Sequence, residues 1–314
     1  MGRWDISGPD RLHNAEPRVP TDVPRREPES ASPSVGRGGN GDSSMDELQS
    51  RQQYRPERTP TFRERRTQYI DRGVTYSLRS SEIEAMADIG RFRAVDINDL
   101  ARFVYHGDHA RLKNDLANLR RQGLMEEKSV LRSHKPARKL VTLTEQGARL
   151  VKKAGALRPD QKIYHGFVKA KELDHDADLY KVYQRAAQRM AEKGGKAVRV
   201  RLDFELKESI NQARAAAEDL PGDMRERWRA AVAQEHGLTT EGATIHLPDI
   251  QVEYHMPDGR IERENLELVS GNYREQGIRG KAAAGFTMYA RAGDSARIRR
   301  ALRDSGLMRE VLSV

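Results

Sequence analysis

The chain has 314 residues, 37% hydrophobic and 33% charged, with a formal net charge of +9 and no cysteine. Without cysteine it has no disulfide framework, no cysteine-based zinc finger and no thiol nucleophile. No apolar run approaches the roughly 18–20 residues of a membrane span, and the start MGRWDISGPD lacks a secretory apolar core. The expectation is a soluble, cytoplasmic, basic protein with no membrane partner.

The charge is unevenly placed: residues 1–75 carry a net +1, residues 76–155 a net +6 and residues 156–314 a net +2. A local positive excess is the electrostatic footprint of phosphate binding. Eight of the 13 prolines fall in the first 60 residues, among Gly, Ser and Arg. Such a stretch buries too little apolar surface to offset its conformational entropy. Residues 1–75 therefore read as a disordered arm.

From residue 76 the pattern becomes helical. SLRSSEIEAMADIGRF offers a serine cap, with Ile83, Met86 and Ile89 at helical spacing. Asp96 can cap INDLARFVY, and Asp108 can cap HARLKNDLANLRRQ, which Gly123 stops. LMEEKSVL, the basic turn RSHKPARK and KLVTL then predict a two-stranded hairpin, and TEQGARLVKKAG a closing helix. This is the element order of a winged helix-turn-helix, and LVTLTEQG resembles the wing of multiple-antibiotic-resistance-type repressors.

In the third helix Leu112, Leu116 and Leu119 share one face and should pack inward. The opposite face carries Ala110, Asn114, Ala117 and Arg121, flanked by Arg111, Lys113 and Asn118, with Asp115 at its edge. Amides can pair with adenine edges and arginines with guanine, while small residues allow close approach to the groove. The adjacent turn adds Arg132, His134, Lys135, Arg138 and Lys139, which a wing would lay along the DNA backbone or into the minor groove. The expected partner of residues 76–155 is double-stranded DNA.

Beyond the connector LRPDQKIYHG, residues 165–314 read as helix, strand, helical insertion over about 204–237, two further strands, helix and strand, an α/β layered domain. Pro221-Gly222 breaks the insertion, and Pro257-Asp258-Gly259 joins the two later strands as a hairpin. No GxxxxGK[ST], no strand-following GxGxxG, no HExxH and no GxSxG occurs. His175, Asp176 and Asp178 could seat a metal, but an acidic cap at a helix start explains the acids equally simply.

Asp249 opens the first hairpin strand, and Glu267 stands in the second. That arrangement resembles the PD-(D/E)XK nuclease core, in which two acids hold Mg²⁺ and a lysine two residues after the second acid supports the attacking water. Here Val269 occupies the lysine position, and Lys281 on the next helix is the nearest substitute. The candidate catalytic set is thus Asp249, Glu267 and Lys281, and the candidate metal ligands Asp249 and Glu267. Asp249 and Glu267 lie symmetrically about Asp258, so antiparallel pairing would bring them together, and Lys281 is expected to neutralise one of them.

Taken together, SLRSSEIEAMADIGRFRAVDINDLARFVY, NDLANLRRQGL, LVTLTEQG, DHDADLYKVY, LPDIQVEY, LELVSGNYR and KAAAGF resemble the replication-relaxation family over about residues 76–290. The resemblance implies an α+β protein: a winged helix-turn-helix domain followed by a restriction-endonuclease-like α/β domain. It also implies a role in replication or mobilisation of a bacterial plasmid or mobile element, with replication or mobilisation proteins, or a second copy, as partners. The expected function is sequence-selective binding of duplex DNA without catalysis and without a cofactor. The alternatives are a metal-dependent DNA nuclease, which would use Mg²⁺, and a transcriptional regulator.

Overall fold

The computed structural model describes residues 5–7, 64–132, 135–241, 244–270, 273–291, 293–303 and 311–313. The chain is a mixed α/β protein. Disorder expected over residues 8–63 lies outside the described residues, but the arm does not extend to residue 75. After a short strand, β1 (Asp5–Ser7), β2 (Thr67–Asp71) and β3 (Val74–Leu78) form an antiparallel hairpin. Arg72 and Gly73 turn it with φ of 49° and 79°, the left-handed pair that matches strand twist in a two-residue loop. Tyr76 and Leu78 anchor the hairpin in the core.

There follow α1 (Ser80–Gly90), β4 (Val95–Asp96), α2 (Ile97–Phe103), α3 (His109–Arg121), β5 (Met125–Arg132), β6 (Lys135–Leu143) and α4 (Glu145–Lys153). Strands β4, β6 and β5 make one antiparallel sheet in that order. The caps are local chemistry: Asp96 accepts from Asn98 N at 2.8 Å, Asp108 from Arg111 N at 2.9 Å and Thr144 from Gly147 N at 3.1 Å. The start of α1 departs from the expected serine cap. Arg79 is the N-cap, its amide donates to Glu82 at 2.7 Å, and Ser81 turns inward. A Cβ on Gly147 would stand 2.1 Å from the Leu124 carbonyl, so glycine lets α4 close onto the loop before β5.

The remaining elements are α5 (Ala170–Ala191), β7 (Lys196–Leu202), α6 (Asp203–Ala216), α7 (Gly222–Glu235), β8 (Thr240–Glu241), β9 (Thr244–His246), β10 (Ile250–His255), β11 (Ile261–Val269), α8 (Glu275–Ala283), β12 (Thr287–Ala290), α9 (Ser295–Arg303) and β13 (Val311–Ser313). Their main sheet runs β13-β12-β11-β10-β7. Strands β7, β10 and β11 are antiparallel neighbours, and β12 and β13 continue parallel to β11. Helices α6 and α7 carry their own small core of Leu206, Ile210, Val232 and Ala233, shared with Leu238, Ile245 and Leu247 from the segment that follows. Strand β1 pairs in parallel with β9.

The segments 76–155 and 165–314 share one core. Buried residues from Tyr76 to Val151 and from Tyr164 to Tyr289 form a single apolar cluster, and the described residues from 65 onward pack with β1 as one compact unit. Helix α5 makes the junction: Phe92 meets Tyr180 edge-on at 5.3 Å and Tyr183 at 5.4 Å. The connector is strapped down too. Tyr164 N donates to Gly90 O, Gly166 N donates to Leu143 O, and the Gln161 amide bonds both Val200 N and Val200 O. Gln161 thereby caps the open edge of β7.

Candidate functional site

Helix α3 places its leucines as the spacing requires, with Leu112, Leu116 and Leu119 buried. Arg111, Lys113, Asn114, Ala117 and Arg121 are exposed. Asp115 is not at the edge of that face but fully buried, held by Arg79 Nη1 at 2.6 Å, Ser81 Oγ at 2.8 Å and Tyr105 OH at 3.3 Å. Burial and the Asp115 carboxylate together push the Tyr105 phenol far above its ordinary range. The solvent face of α3 therefore carries cations and an amide, and its one acid is withdrawn from it.

Asn118 does not belong to that face. It is buried, and its amide donates to Glu82 at 2.8 Å and to Ser77 O at 3.3 Å. Gln122 also bonds Ser77, accepting from its amide and donating to its carbonyl. The β2–β3 hairpin, which composition assigns to the arm, covers this flank of α3 and takes it out of solvent. Arg121 stays exposed and donates to Asn118 Oδ1 at 2.6 Å.

The β5–β6 hairpin divides the remaining cations. Lys139 is exposed and 3.9 Å from Glu127, while Arg132, one-quarter exposed, lies 3.9 Å from Asp174. His134 lies outside the described residues, and Lys135 is described only as the backbone partner of Arg132. Arg138 is not on the surface of the β5–β6 hairpin at all. It is 4% exposed and meets Asp96 at 2.5 Å, Asp178 at 3.0 Å, Asp174 at 3.4 Å and Asp99 at 3.5 Å. Burial works against its charge, but the Asp178 and Asp96 carboxylates outweigh that and hold the guanidinium above its ordinary range. The local sequence around Arg138 is free of acid, so the carboxylates that bury it come from β4, α2 and α5.

Helix α5 begins at Ala170, so His175, Asp176 and Asp178 stand inside it and are not an N-terminal cap. They also diverge. Asp176 pairs with Arg93 at 2.7 Å, Asp178 with Arg138 and Arg291, and His175 Nε2 faces Asp249 Oδ1 at 3.7 Å.

Asp249 and Glu267 do converge. The β10–β11 register pairs Ile250 with Leu266, and one further step sets Asp249 beside Glu267. Leu268 N donates to Asp249 Oδ2 at 2.9 Å, and Asp249 N donates to Glu267 Oε2 at 3.2 Å. Lys281, reaching from α8, donates to Glu267 Oε1 at 2.5 Å, and the Tyr273 hydroxyl donates to the same oxygen at 2.5 Å. All three charged groups are buried, with 1%, 0% and 2% of Asp249, Glu267 and Lys281 exposed. Val269 is buried in the apolar cluster of Ile278, Met288 and Ile298, so a lysine at that position would displace core packing. The approach of α8 depends on Gly280, where a Cβ would stand 2.7 Å from the His246 ring.

Burial raises the Glu267 carboxyl to about 7, with Asp249 adding to the rise and Lys281 opposing it. Asp249 goes the other way: burial would raise it, but His175 and Lys281 hold it below the ordinary carboxylate range. Burial would discharge His175, yet Asp249 outweighs it and raises the imidazole to about 9. At 3.7 Å this is an ion pair rather than a hydrogen bond, and Asp249 Oδ1 accepts no hydrogen bond.

Mg²⁺ requires a nearly octahedral shell of oxygens. Of the four carboxylate oxygens here, Glu267 Oε1, Glu267 Oε2 and Asp249 Oδ2 already accept hydrogen bonds from the protein. Among the described residues, no three His, Asp or Glu side chains are placed to hold a metal ion. The cluster as arranged does not fit the metal of a two-acid nuclease. Tyr273 and His175, the partners that complete it, carry no motif: one is a tyrosine after SGN and the other a histidine within a helix.

No helix among the described residues is long and apolar enough to cross a membrane. No family model matches the chain, and no curated protein matches it. Among solved structures it is similar to PadR of Bacillus subtilis in complex with operator DNA, at 13% identity over 51% of this chain and 93% of that one, with a TM-score of 0.22.

Proposed function

We propose that this chain binds duplex DNA through α3 and the neighbouring β5–β6 hairpin, as a winged helix does, and that its second segment is a nuclease-like domain that does not cut. The observation that carries the reading is the sorting of charge on α3. Arg111, Lys113, Asn114 and Arg121 are exposed, while Asp115 is buried against Arg79, Ser81 and Tyr105. Cations on such a face neutralise phosphates, and Asn114 is of the type that reads an adenine edge. The resemblance to the replication-relaxation family supports placing this binding in replication or mobilisation of a plasmid or mobile element. Replication or mobilisation proteins, or a second copy, would be its further partners.

A second reading, a metal-dependent nuclease, is favoured by Asp249 and Glu267 standing at neighbouring strand positions with the Lys281 side chain of α8 reaching Glu267. It would require Lys281 and Tyr273 to release Glu267. The two readings separate when the full chain is incubated with supercoiled plasmid and Mg²⁺ or Mn²⁺ beside a binding titration. The first expects a retarded but intact plasmid. Metal-dependent cleavage that disappears in both Asp249→Ala and Lys281→Ala, with folding intact, would establish the second.

A further inference from the structure

Helix α9, SARIRRALR, carries four arginines and no acid. Ile298, Ala301 and Leu302 are buried, and Ile298 and Leu302 pack with Val269, Ile278, Met288 and Val311. That packing turns Arg297, Arg299, Arg300 and Arg303 to the exposed side. The acceptors of Arg297 and Arg299 are neutral: Arg297 donates to Ser270 O at 3.4 Å and Tyr273 O at 3.5 Å, and Arg299 to Val311 O at 3.4 Å. Carbonyls orient a guanidinium without cancelling its charge, in contrast to the carboxylates around Arg138. Arg274 is also exposed, at the entrance to the neighbouring α8, while the exposed Arg279 pairs with Glu275 at 3.4 Å.

We infer that the arginine face of α9 is a second duplex-DNA contact, separate from α3, that holds the phosphate backbone beside the Asp249–Glu267 cluster. This goes beyond the α3 reading and does not rest on it. Arginine forks fit phosphate oxygens in pairs, and a row of them along one helix face suits a regularly spaced polyanion. A lipid surface is the poorer match, because an interfacial helix must offer its apolar face to the bilayer, and that of α9 is spent on the core. The place follows from Arg297. Its acceptors Ser270 and Tyr273 frame the turn from which the Tyr273 hydroxyl reaches Glu267. The net +2 of residues 156–314 conceals this patch, because that count averages the four arginines of α9, a helix without an acid of its own, over the whole segment.

The test is the full chain with a short duplex of arbitrary sequence, its affinity followed by fluorescence anisotropy as salt is varied. Each phosphate contact contributes about 0.9 to the log–log salt slope. The double variant Arg299→Gln/Arg303→Gln should lose about 2 from that slope and weaken every duplex sequence by the same factor. Arg299→Lys/Arg303→Lys should keep the wild-type slope. If the glutamine pair lowers thermal stability, Arg297→Gln alone serves, with an expected loss of about 0.9. An α3 variant, Lys113→Gln/Asn114→Ala, distinguishes the surfaces: adding the α9 pair to it must lower the slope further. An unchanged slope in the glutamine variants overturns the proposal. So does a loss confined to single-stranded DNA, RNA or anionic vesicles.

Discussion

Helix α3 and the β10–β11 end of the main sheet both collect charge, and they treat it in opposite ways. On α3 the cations face water, and the one acid of the helix is buried against Arg79. At the sheet end two acids are buried side by side, and a lysine is buried with them. An exposed cation keeps its hydration and can exchange it for a phosphate, whereas a buried charge must find its counter-charge within the protein. The first arrangement leaves charge for a partner, and the second consumes it. Arg138 follows the second pattern although its sequence surroundings follow the first.

The largest effect expected from this contrast is at Arg138. Arg138→Ala leaves Asp96 and Asp178 buried without their main counter-charge, which should cost about 3–5 kcal/mol in thermal or denaturant unfolding. Under conditions where the variant stays folded, its DNA salt slope should equal that of the wild type. A lower slope with undiminished stability would return Arg138 to the DNA surface.

Gly280→Ala should cost about 1–3 kcal/mol by driving a methyl group toward the His246 ring, and it should leave DNA affinity unchanged. Unchanged stability would mean that α8 can shift freely and that the Lys281–Glu267 pair is not held by this approach.

The two asparagines of α3 offer a paired test of similar or smaller size. Asn118→Ala should lower stability by about 1–3 kcal/mol, because Glu82 loses a buried donor. Asn114→Ala should leave stability within about 0.5 kcal/mol and cost about 1–3 kcal/mol of binding on a preferred site. Exchange of these outcomes would rotate the assigned face of α3.

Much of this contrast was legible in residue spacing. The leucine spacing gave the inner face of α3, Asp96 and Asp108 marked two helix starts, and symmetry about Asp258 brought Asp249 to Glu267 with Lys281 as the expected neutralising cation. What escaped was long-range. The alternation TQYID-RG-VTYSL follows a proline- and arginine-rich stretch that obscures it, and its hairpin decides that Asn118 is inside. Arg138 meets Asp178 from forty residues further along the chain, which no local window contains. The exposure of the α9 arginines is likewise hidden in the charge count of residues 156–314, which carries no burial.

The smallest effect expected is a pH dependence. Glu267 titrates near 7 in the folded chain, above its ordinary value, so its stabilising contribution is complete at low pH and is lost as pH rises through about 7. Glu267→Gln keeps a neutral acceptor for Lys281 and Tyr273 and should flatten the fall of Tm between about pH 5 and 7.5. His175, raised to about 9, adds a loss at higher pH that this variant should retain. A wild-type Tm that rises over that lower interval would mean that Glu267 is ionised throughout.

The most direct test of the central claim is the salt dependence of duplex binding by the full chain, compared with Arg111→Gln/Lys113→Gln. The account predicts binding that weakens steeply with salt and a slope lower by about 2 in the variant. Binding indifferent to salt, or a variant indistinguishable from the wild type, would contradict it.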